Sequence, residues 1–332
     1  MLSRRNMFLK KLILFSLLLF IHLNAFAKET LIFVFDVIRH GDRTPLHVIP
    51  KASYVWPQGL GQLTPEGMQQ EFQRGVEFRK EYVDRTHLLS AHYNNKEIYV
   101  LSTNADRTLM SAQSVLLGLY PLGTGPVLSE SNQFALPNRF QPVPIHVTAK
   151  DASNNAENDF SQQEHKALKK YVFNRPDWIQ KNAAMQSEMV RWSRATGFKL
   201  KHLSQLRPLG DALYVYQLHH VPLPAGLNAE DVQRIIALGR EVSITEYQTK
   251  AVADVIGMPL LATINEYLEK ASKQKTPLKY VLFSAHDTTI MSLMTTLGSP
   301  LTEKPPYGAN LKFALYKKDT GGYLIKVTYN AK

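Results

Sequence analysis

The feature that most constrains this chain is an apolar strand that runs directly into a cluster of basic residues. Residues Leu31 to Ile38 are rich in Val, Ile and Phe, which predicts a buried β-strand. The run RHGDRTP, from Arg39 to Pro45, follows at once. Ligands of open α/β sheets bind at the carboxyl ends of the strands, and paired guanidiniums can clamp a phosphate. The alternative at this point is a basic loop in which His40 only satisfies hydrogen bonds.

The first 27 residues have the pattern of a secretory signal peptide. A basic head precedes an apolar run from Leu12 to Leu23, and Ala25-Phe26-Ala27 has the small-x-small form of a cleavage site. We expect the mature chain to begin at Lys28. An uncleaved membrane anchor is the alternative, but the apolar run is short for a span of about 20 residues. The expected location is therefore periplasmic or secreted, with no stable membrane span after cleavage.

The composition narrows the kinds of site that the chain can hold. There is no cysteine, which rules out disulfides, a thiol nucleophile and a cysteine-based metal site. An exported protein without cysteine fits a bacterial periplasm or secretion route. The net charge is +11, of which +7 belongs to the expected mature chain, and this favours anionic substrates. No dense Lys/Arg stripe with interleaved aromatic residues occurs, so a nucleic-acid partner is not expected.

Two further strands repeat the arrangement of strand, polar turn and helix. The strand Ile98 to Ser102 leads to Arg107 at the start of a helix, and Leu278 to Ser284 leads to His286 and Asp287. This alternation is typical of a parallel sheet in an α/β protein. Because the carboxyl ends of parallel strands meet at one edge, we expect the three polar clusters to converge.

Residues 150–228 differ from the rest of the chain because they are rich in polar residues and contain helical stretches without clear strands. We interpret them as a helical cap inserted into an α/β core. The predicted organisation is a signal peptide at 1–27, the first part of the core at 28–149, the cap at 150–228 and the second part of the core at 229–332.

Several local features are also predicted. Thr64 should cap a helix whose apolar stripe comprises Met68, Phe72, Val76 and Phe78. The helical region Glu246 to Lys273 should be interrupted near Pro259, and the tail should form a hairpin.

Trp56 and Tyr307 are interpreted as packing residues. The pair His219-His220 is not expected to bind a metal, since adjacent side chains on an extended stretch point in opposite directions.

The three clusters carry what phosphoryl transfer requires. His40 can be the nucleophile, giving a phosphohistidine that water hydrolyses. His286 can donate to a phosphate oxygen, while Asp287 can protonate the leaving alcohol and then activate water. The guanidiniums that can neutralise the phosphate oxygens are those of Arg39, Arg43 and Arg107. An acid with a pKa near 3.9 must be protonated to act, so we expect the rate to fall as pH rises past neutral.

Two alternatives follow from the same residues. His286 and Asp287 could be half of a metal site, which would make the protein a metal-dependent phosphohydrolase. The clusters could also belong to a surface protein that binds a phosphorylated ligand without turnover. A chelator should abolish the activity of a metal-dependent enzyme. Replacing His40 by Ala should remove turnover from a phosphatase that uses this nucleophile and should leave the role of a binding protein intact.

The chain resembles the histidine acid phosphatases, the branch of the histidine phosphatase superfamily that includes the prostatic and lysosomal acid phosphatases and the phytases. The resembling segments follow the family order along nearly the whole mature chain. They are Arg39 to Pro45, Trp56 to Gly59, Gly61 to Thr64, Ser102-Thr103, Asp106 to Ala112, Gln141 to His146, Ser284 to Thr289 and Pro305 to Tyr307. They are closer to the prostatic-like members than to the phytases.

The resemblance implies a three-layer α/β sandwich around a mixed, mostly parallel sheet, as in phosphoglycerate mutases, with an inserted helical cap. It implies that His40 is the phosphorylated nucleophile and Asp287 the proton donor. The implied phosphate-binding residues are Arg39, Arg43, Arg107 and His286. No metal and no other cofactor is implied, and the substrates are small phosphomonoesters. A homodimer is compatible with the family, a phytase-like specialist remains the alternative within it, and a mutase is not expected because Asp42 stands where mutases tend to carry Glu.

Overall fold

The structure, a computed structural model, describes residues 29–147 and 159–331. The expected signal peptide and the first residues of the expected cap lie outside these ranges. The described strands form one six-stranded sheet in the order β3-β2-β4-β1-β5-β6. The strands are β1 (Glu29–Arg39), β2 (Ile98–Ser102), β3 (His146–Val147), β4 (Tyr280–Ala285), β5 (Asn310–Lys318) and β6 (Tyr323–Tyr329).

The sheet is mixed. Strands β3, β2, β4 and β1 are parallel, whereas β5 is antiparallel to β1 and β6 is antiparallel to β5. The predicted α/β class with a mixed, mostly parallel sheet is therefore confirmed. Strands β5 and β6 form the expected hairpin around Gly321 and Gly322, both of which have positive φ.

Helices flank the sheet and fill the segment between the core strands. They are α1 (Pro65–Phe78), α2 (Asp106–Leu119), α3 (Asp159–Phe173), α4 (Pro176–Ala184), α5 (Gln186–Thr196), α6 (Leu206–Leu218), α7 (Ala229–Gln248), α8 (Lys250–Ser272) and α9 (Asp287–Thr296). A π-helical segment, Arg79–Arg85, continues α1.

Strand β1 separates two hydrophobic cores because successive side chains point to opposite faces of a sheet. Val34 and Ile38 pack in one cluster with residues of α1 and α2. Phe33, Phe35 and Val37 pack in the other with residues of α8 and α9. The strand is buried on both faces, as the apolar run predicts.

A third hydrophobic cluster joins helices α4 to α7. It includes Trp178, Trp192, Leu213 and Val232, and Trp56 from the loop before α1 also belongs to it. Helix α7 begins after residue 228 and contributes to this cluster. The boundaries 150–228 of the cap remain a prediction.

The predicted interruption of the last long helical region is wrong in its position. Pro259 lies inside α8, which is continuous, and the break lies at Thr249, between α7 and α8. Pro259 is exposed, while Val252 and Ile264 on either side of it are fully buried. Packing along the buried face of α8 therefore offsets the hydrogen bond that proline removes. By length and composition α8 could cross a membrane, and its Ile264 and Leu268 pack against the sheet as in a core helix.

The predicted cap of α1 is confirmed, and its predicted apolar stripe is right only in part. Thr64 Oγ1 accepts a hydrogen bond of 3.1 Å from the N–H of Gly67. Phe78 is buried, Met68 and Val76 are exposed, and the buried face of α1 also contains Gly75 and Glu71. A Cβ on Gly75 would lie 2.0 Å from the carbonyl oxygen of Val115 in α2. The two helices therefore meet at backbone distance, which a stripe of large apolar side chains would prevent.

Candidate active site

The register of the sheet brings the ends of three strands to one level. Ser284 in β4 pairs with Ile38 in β1 and with Ser102 in β2. Beyond these pairs, the N–H of His40 donates to Ala285 O at 3.0 Å, and the N–H of Thr103 donates to Ser284 O at 3.1 Å. The three polar clusters therefore start from fixed positions at the same edge of the sheet.

His40 is buried, with 3% of its surface exposed. Its Nδ1 lies 2.8 Å from the carbonyl oxygen of Gly41, which can only accept, so Nδ1 carries the proton. In the neutral ring Nε2 then holds the free lone pair. A Cβ on Gly41 would lie 2.4 Å from Gly67 O, so the start of α1 can approach this loop only at a glycine.

The surroundings of His40 favour the neutral imidazole. Burial lowers the pKa of His40 well below 6.5, and the nearby charges of Arg39 and Arg43 lower it further. The ring therefore loses its proton at a lower pH than a free imidazole does. The neutral form is the protonation state in which an imidazole is a nucleophile.

Arg39 and Arg43 lie on either side of His40 in the chain and have different partners. The guanidinium of Arg39 lies over the ring of Tyr307, 4.1 Å from the ring centroid, and donates to Pro305 O. Its Nη2 lies 3.6 Å from Oδ2 of Asp287. Nη2 of Arg43 lies 2.9 Å from both carboxylate oxygens of Asp211 in α6.

His286 connects the polar cluster that follows β2 to the polar cluster that follows β4. Nη2 of Arg107 lies 3.4 Å from Nδ1 of His286, and Nε2 of His286 lies 3.0 Å from Oγ1 of Thr103. Since Arg107 can only donate, Nδ1 accepts and Nε2 carries the proton. Burial and the charge of Arg107 lower the pKa of His286 to about 3, so this ring is also neutral. Both nitrogens are engaged, so donation to a phosphate oxygen requires the ring to release one partner.

Asp287 is the first residue of α9, where helix N–H groups stabilise a negative charge. Its Oδ1 accepts from the N–H of Thr288 at 2.8 Å, and its Oδ2 lies 3.0 Å from Nζ of Lys304. Burial alone would raise the pKa of Asp287. The charges of Lys304, Arg39 and Arg207 outweigh burial and hold that pKa well below 3.8.

The structure brings the six predicted site residues together. The ring centroids of His40 and His286 are 5.6 Å apart, and Arg107 is in contact with His286. Arg39 is in contact with Asp287. Arg43 connects to the same group through Asp211, whose Oδ1 lies 3.9 Å from Nζ of Lys304.

Sequence reasoning missed three side chains of this edge. Asp211, Lys304 and Thr103 each contact a predicted site residue. Tyr307, interpreted as a packing residue, lies 5.9 Å from His40 between ring centroids and supports Arg39. Thr103 follows β2 and could have been found from that position, whereas Asp211 lies in a helix 168 residues from Arg43 and carries no local signal.

Asp42 links the same loop to α6. Its Oδ2 lies 2.6 Å from Thr64 Oγ1 and 2.6 Å from Nε2 of His219. The ring of Trp56 packs edge-on against His219, with 5.4 Å between the ring centroids.

Among the described residues, ligand atoms of Asp42, Glu66 and His219 lie within 4.8 Å of one another. The oxygen of Asp42 that faces His219 already accepts two hydrogen bonds, which does not suit a metal ligand. The absence of a metal site remains a prediction.

A second buried carboxyl, that of Glu71 in α1, lies close to the site. It is fully buried, and neither oxygen has a hydrogen-bond partner among residues 29–147 and 159–331. Burial raises its pKa to about 8, against the opposing charges of Arg74 and Arg39. Burial therefore favours the neutral form of the Glu71 carboxyl.

Comparisons with known proteins agree with the fold and with the class of protein. The family model for the histidine phosphatase superfamily (branch 2) matches residues 30–196 and 170–330. Lysosomal acid phosphatase of Bos taurus is 30% identical over 310 residues, covering 91% of this chain and 71% of that relative. Testicular acid phosphatase of Homo sapiens is 32% identical over 349 residues, covering 96% and 76%. A Klebsiella phytase has a similar fold, with a TM-score of 0.67 and 19% identity over 91% of this chain and 83% of that one.

The fold and the site thus define an α/β enzyme of the phosphatase class. The chain belongs to branch 2 of the histidine phosphatase superfamily. The resemblance stated from the motifs is confirmed by these matches.

Proposed function

We propose that this protein is an exported acid phosphatase that hydrolyses small phosphate monoesters through a covalent phosphohistidine on His40. The observation that carries the proposal is the state of the His40 ring. The ring is buried and its Nδ1 proton is held by Gly41 O, while burial and the nearby group of guanidiniums favour the neutral imidazole, in which Nε2 carries the lone pair. Such a group is what an incoming phosphate requires.

In the first step Nε2 of His40 attacks phosphorus and the bond to the ester oxygen breaks. Asp287 in its protonated form gives its proton to that oxygen, so the leaving group departs as an alcohol. Arg39, Arg43 and Arg107 neutralise the phosphate oxygens throughout. In the second step Asp287, now ionised, takes a proton from water, which attacks phosphorus and releases inorganic phosphate and neutral His40.

The proton on Asp287 explains why acidic solution should favour this reaction. Without substrate the cations around Asp287 keep its carboxyl ionised. A bound phosphate dianion pairs with those cations and repels the carboxylate, so both effects raise the pKa of Asp287. His40 remains neutral at the same pH because burial and arginines lower its pKa. Low pH therefore supplies the acid without removing the nucleophile.

Substrates with one phosphate fit this edge of the sheet better than substrates with many. The carboxylate of Asp211 binds Arg43 and lies within 3.9 Å of Lys304, so it places a negative charge beside the expected phosphate position. Further phosphates on one substrate would be repelled by it. The relatives at 30% and 32% identity carry the names of acid phosphatases, which supports the same substrate class.

The direct test compares hydrolysis of an aryl phosphate, an alkyl phosphate and phytate by the purified mature chain at pH 4 to 8. We expect turnover of both monoesters, and slower turnover of phytate per phosphate. His40→Ala should abolish turnover, whereas His92→Ala, at an exposed ring that contacts Thr124 O, should not. Turnover by His40→Ala equal to that of the parent chain would refute the proposal, and faster release from phytate would favour the phytase alternative.

Export is tested separately. The full chain expressed in a bacterial host should appear in the periplasm or medium with Lys28 as its first residue, because residues 1–27 are expected to be removed. A membrane-bound product that retains its first residues would contradict export by a cleaved signal peptide.

A further inference from the structure

Lys304 lies in the loop between α9 and β5 and faces the carboxylate of Asp287. Its Nζ is 3.0 Å from Oδ2 of Asp287 and 3.9 Å from Oδ1 of Asp211. The side chain is 19% exposed, so this ammonium is partly shielded from water and its ion pair is screened less than a surface pair. Asp211 in turn binds Arg43 with both oxygens.

The other charged groups around Asp287 are held more firmly by other partners. Arg39 is 3.6 Å from the carboxylate, stacks on Tyr307 and donates to Pro305 O. Arg207, from α6, pairs with Glu246 at 3.2 Å. The remaining titratable or charged groups that act on Asp287, or on which it acts, are Arg43, Arg107, His286 and Tyr247.

We infer that Lys304 is a positioning residue for the proton donor, which holds the carboxylate of Asp287 in place and sets the pH range in which that carboxyl carries a proton. The inference rests on the proposed role of Asp287. Among the described residues, the ammonium of Lys304 is closer to the carboxylate of Asp287 than the guanidinium of Arg39 is, and it comes from a loop rather than from a strand end or a helix. The same ammonium is available to pair with the phosphate of a bound substrate.

The ion pair between Lys304 and Asp287 decides in which direction a loss of the ammonium moves the pKa of Asp287. An ammonium near a carboxylate favours the ionised form, so removing the charge raises the pKa of Asp287 and keeps the acid protonated at higher pH. The basic limb of the kcat profile, which reports the pKa of Asp287 in the substrate complex, should then move to higher pH, by about one pH unit. Substrates with a poor leaving group should show the change more clearly, because they depend on the proton from Asp287.

The experiment compares Lys304→Met, Lys304→Arg and the parent enzyme in pH profiles of kcat for an alkyl phosphate. Lys304→Met should shift the basic limb upward by about one pH unit, and Lys304→Arg, which keeps the charge, should restore the parent profile. Lys326→Met serves as the matched control, since this lysine pairs with Glu29 at the edge of the sheet and is 46% exposed. The ionisation of the substrate affects every profile equally.

A basic limb for Lys304→Met that coincides with that of the active parent enzyme would overturn the inference. The same holds if Lys326→Met shifts the limb by as much as Lys304→Met does. Should Lys304→Met fold poorly, Lys304→Gln removes the charge while keeping a polar group and gives the same test. A parent enzyme without phosphatase activity would instead refute the proposed function, so the two failures are distinguishable.

Discussion

Nε2 of His219 lies 2.6 Å from Oδ2 of Asp42, which ties the C-terminal end of α6 to the loop that carries His40. Asp42 is 1% exposed, and its second oxygen has no hydrogen-bond partner among the described residues. The side-chain hydrogen bonds to the carboxylate of Asp42 therefore come from Nε2 of His219 and Oγ1 of Thr64. This contact joins segments that lie 177 residues apart in the chain.

Replacing His219 by Asn should destabilise the protein, because the shorter amide cannot reach the buried carboxylate of Asp42. A buried acceptor that loses its hydrogen-bond donor costs about 1–3 kcal/mol. His220→Asn is the matched control, since His220 is exposed and has a φ of 52°, which Asn tolerates well. Chemical unfolding at pH 5.5 measures both variants. Equal stabilities for the two would show that the contact with Asp42 contributes nothing.

Asp287→Asn should lower activity according to the leaving group. The amide cannot protonate the departing oxygen, so kcat on an alkyl phosphate should fall by about 10²–10⁴-fold. An aryl phosphate has a good leaving group that depends less on protonation, so the rate at which it phosphorylates the enzyme should fall less. Rapid mixing that separates the first turnover from later ones measures this difference. Equal losses on both substrates would argue that Asp287 does not act as the acid.

Arg107→Met should weaken the binding of phosphate and of substrates alike. Arg107 contacts His286 and starts α2, and its loss removes one positive charge from the expected phosphate position. A hydrogen bond to a charged group contributes about 1.5–3 kcal/mol, so the inhibition constant of inorganic phosphate should rise by about 10- to 100-fold. Arg85→Met, at a side chain that is 70% exposed, should leave it unchanged. An unchanged inhibition constant for Arg107→Met would place phosphate elsewhere.

Stability should fall as pH rises through the weakly acidic range. The pKa of Glu71 is raised from 4.5 to about 8, so the folded state keeps a proton that the unfolded state has lost. Asp36, buried with a pKa of about 6, acts in the same sense at lower pH. The contribution of Glu71 to the free energy of unfolding should therefore be greatest below about pH 4.5. It should decline by a few kcal/mol as pH rises towards 8.

Glu71→Gln tests this dependence, because the amide resembles the neutral carboxyl and does not ionise. Its free energy of unfolding should decline less than that of the parent chain between pH 5 and 8, measured by denaturant titration at each pH. Glu77→Gln, on the same helix at a side chain that is 65% exposed, should decline like the parent. A parent-like slope for Glu71→Gln would mean that the carboxyl is ionised in the folded state.

The sequence predicted the strands and the loops that follow them because these features are local. An apolar run long enough for one strand and a polar turn directly after it locate His40, Arg107 and His286 without any knowledge of contacts. The partners Asp211 and Lys304 could not be predicted in this way. Their roles depend on where a distant helix and a distant loop pack, and nothing in their neighbouring residues records it.

The same limit applies to the interior of α1. Its apolar residues suggest a stripe, but the helix packs through Gly75 against the backbone of α2 and buries Glu71. Close approach of two backbones depends on the partner helix, so periodicity along one helix cannot predict it. Pro259 gives a similar case, since its effect on α8 is decided by the packing on either side of it.

The covalent intermediate on His40 is the central claim, and trapping it is the most direct measurement. Enzyme mixed with an aryl phosphate labelled in the phosphate and quenched within milliseconds should carry up to one label per chain, with a matching burst of released phenol. The label should be lost in acid, survive in base and map to the peptide that contains His40. No labelled protein under burst conditions, or a label on another residue that persists in His40→Ala, would contradict the account.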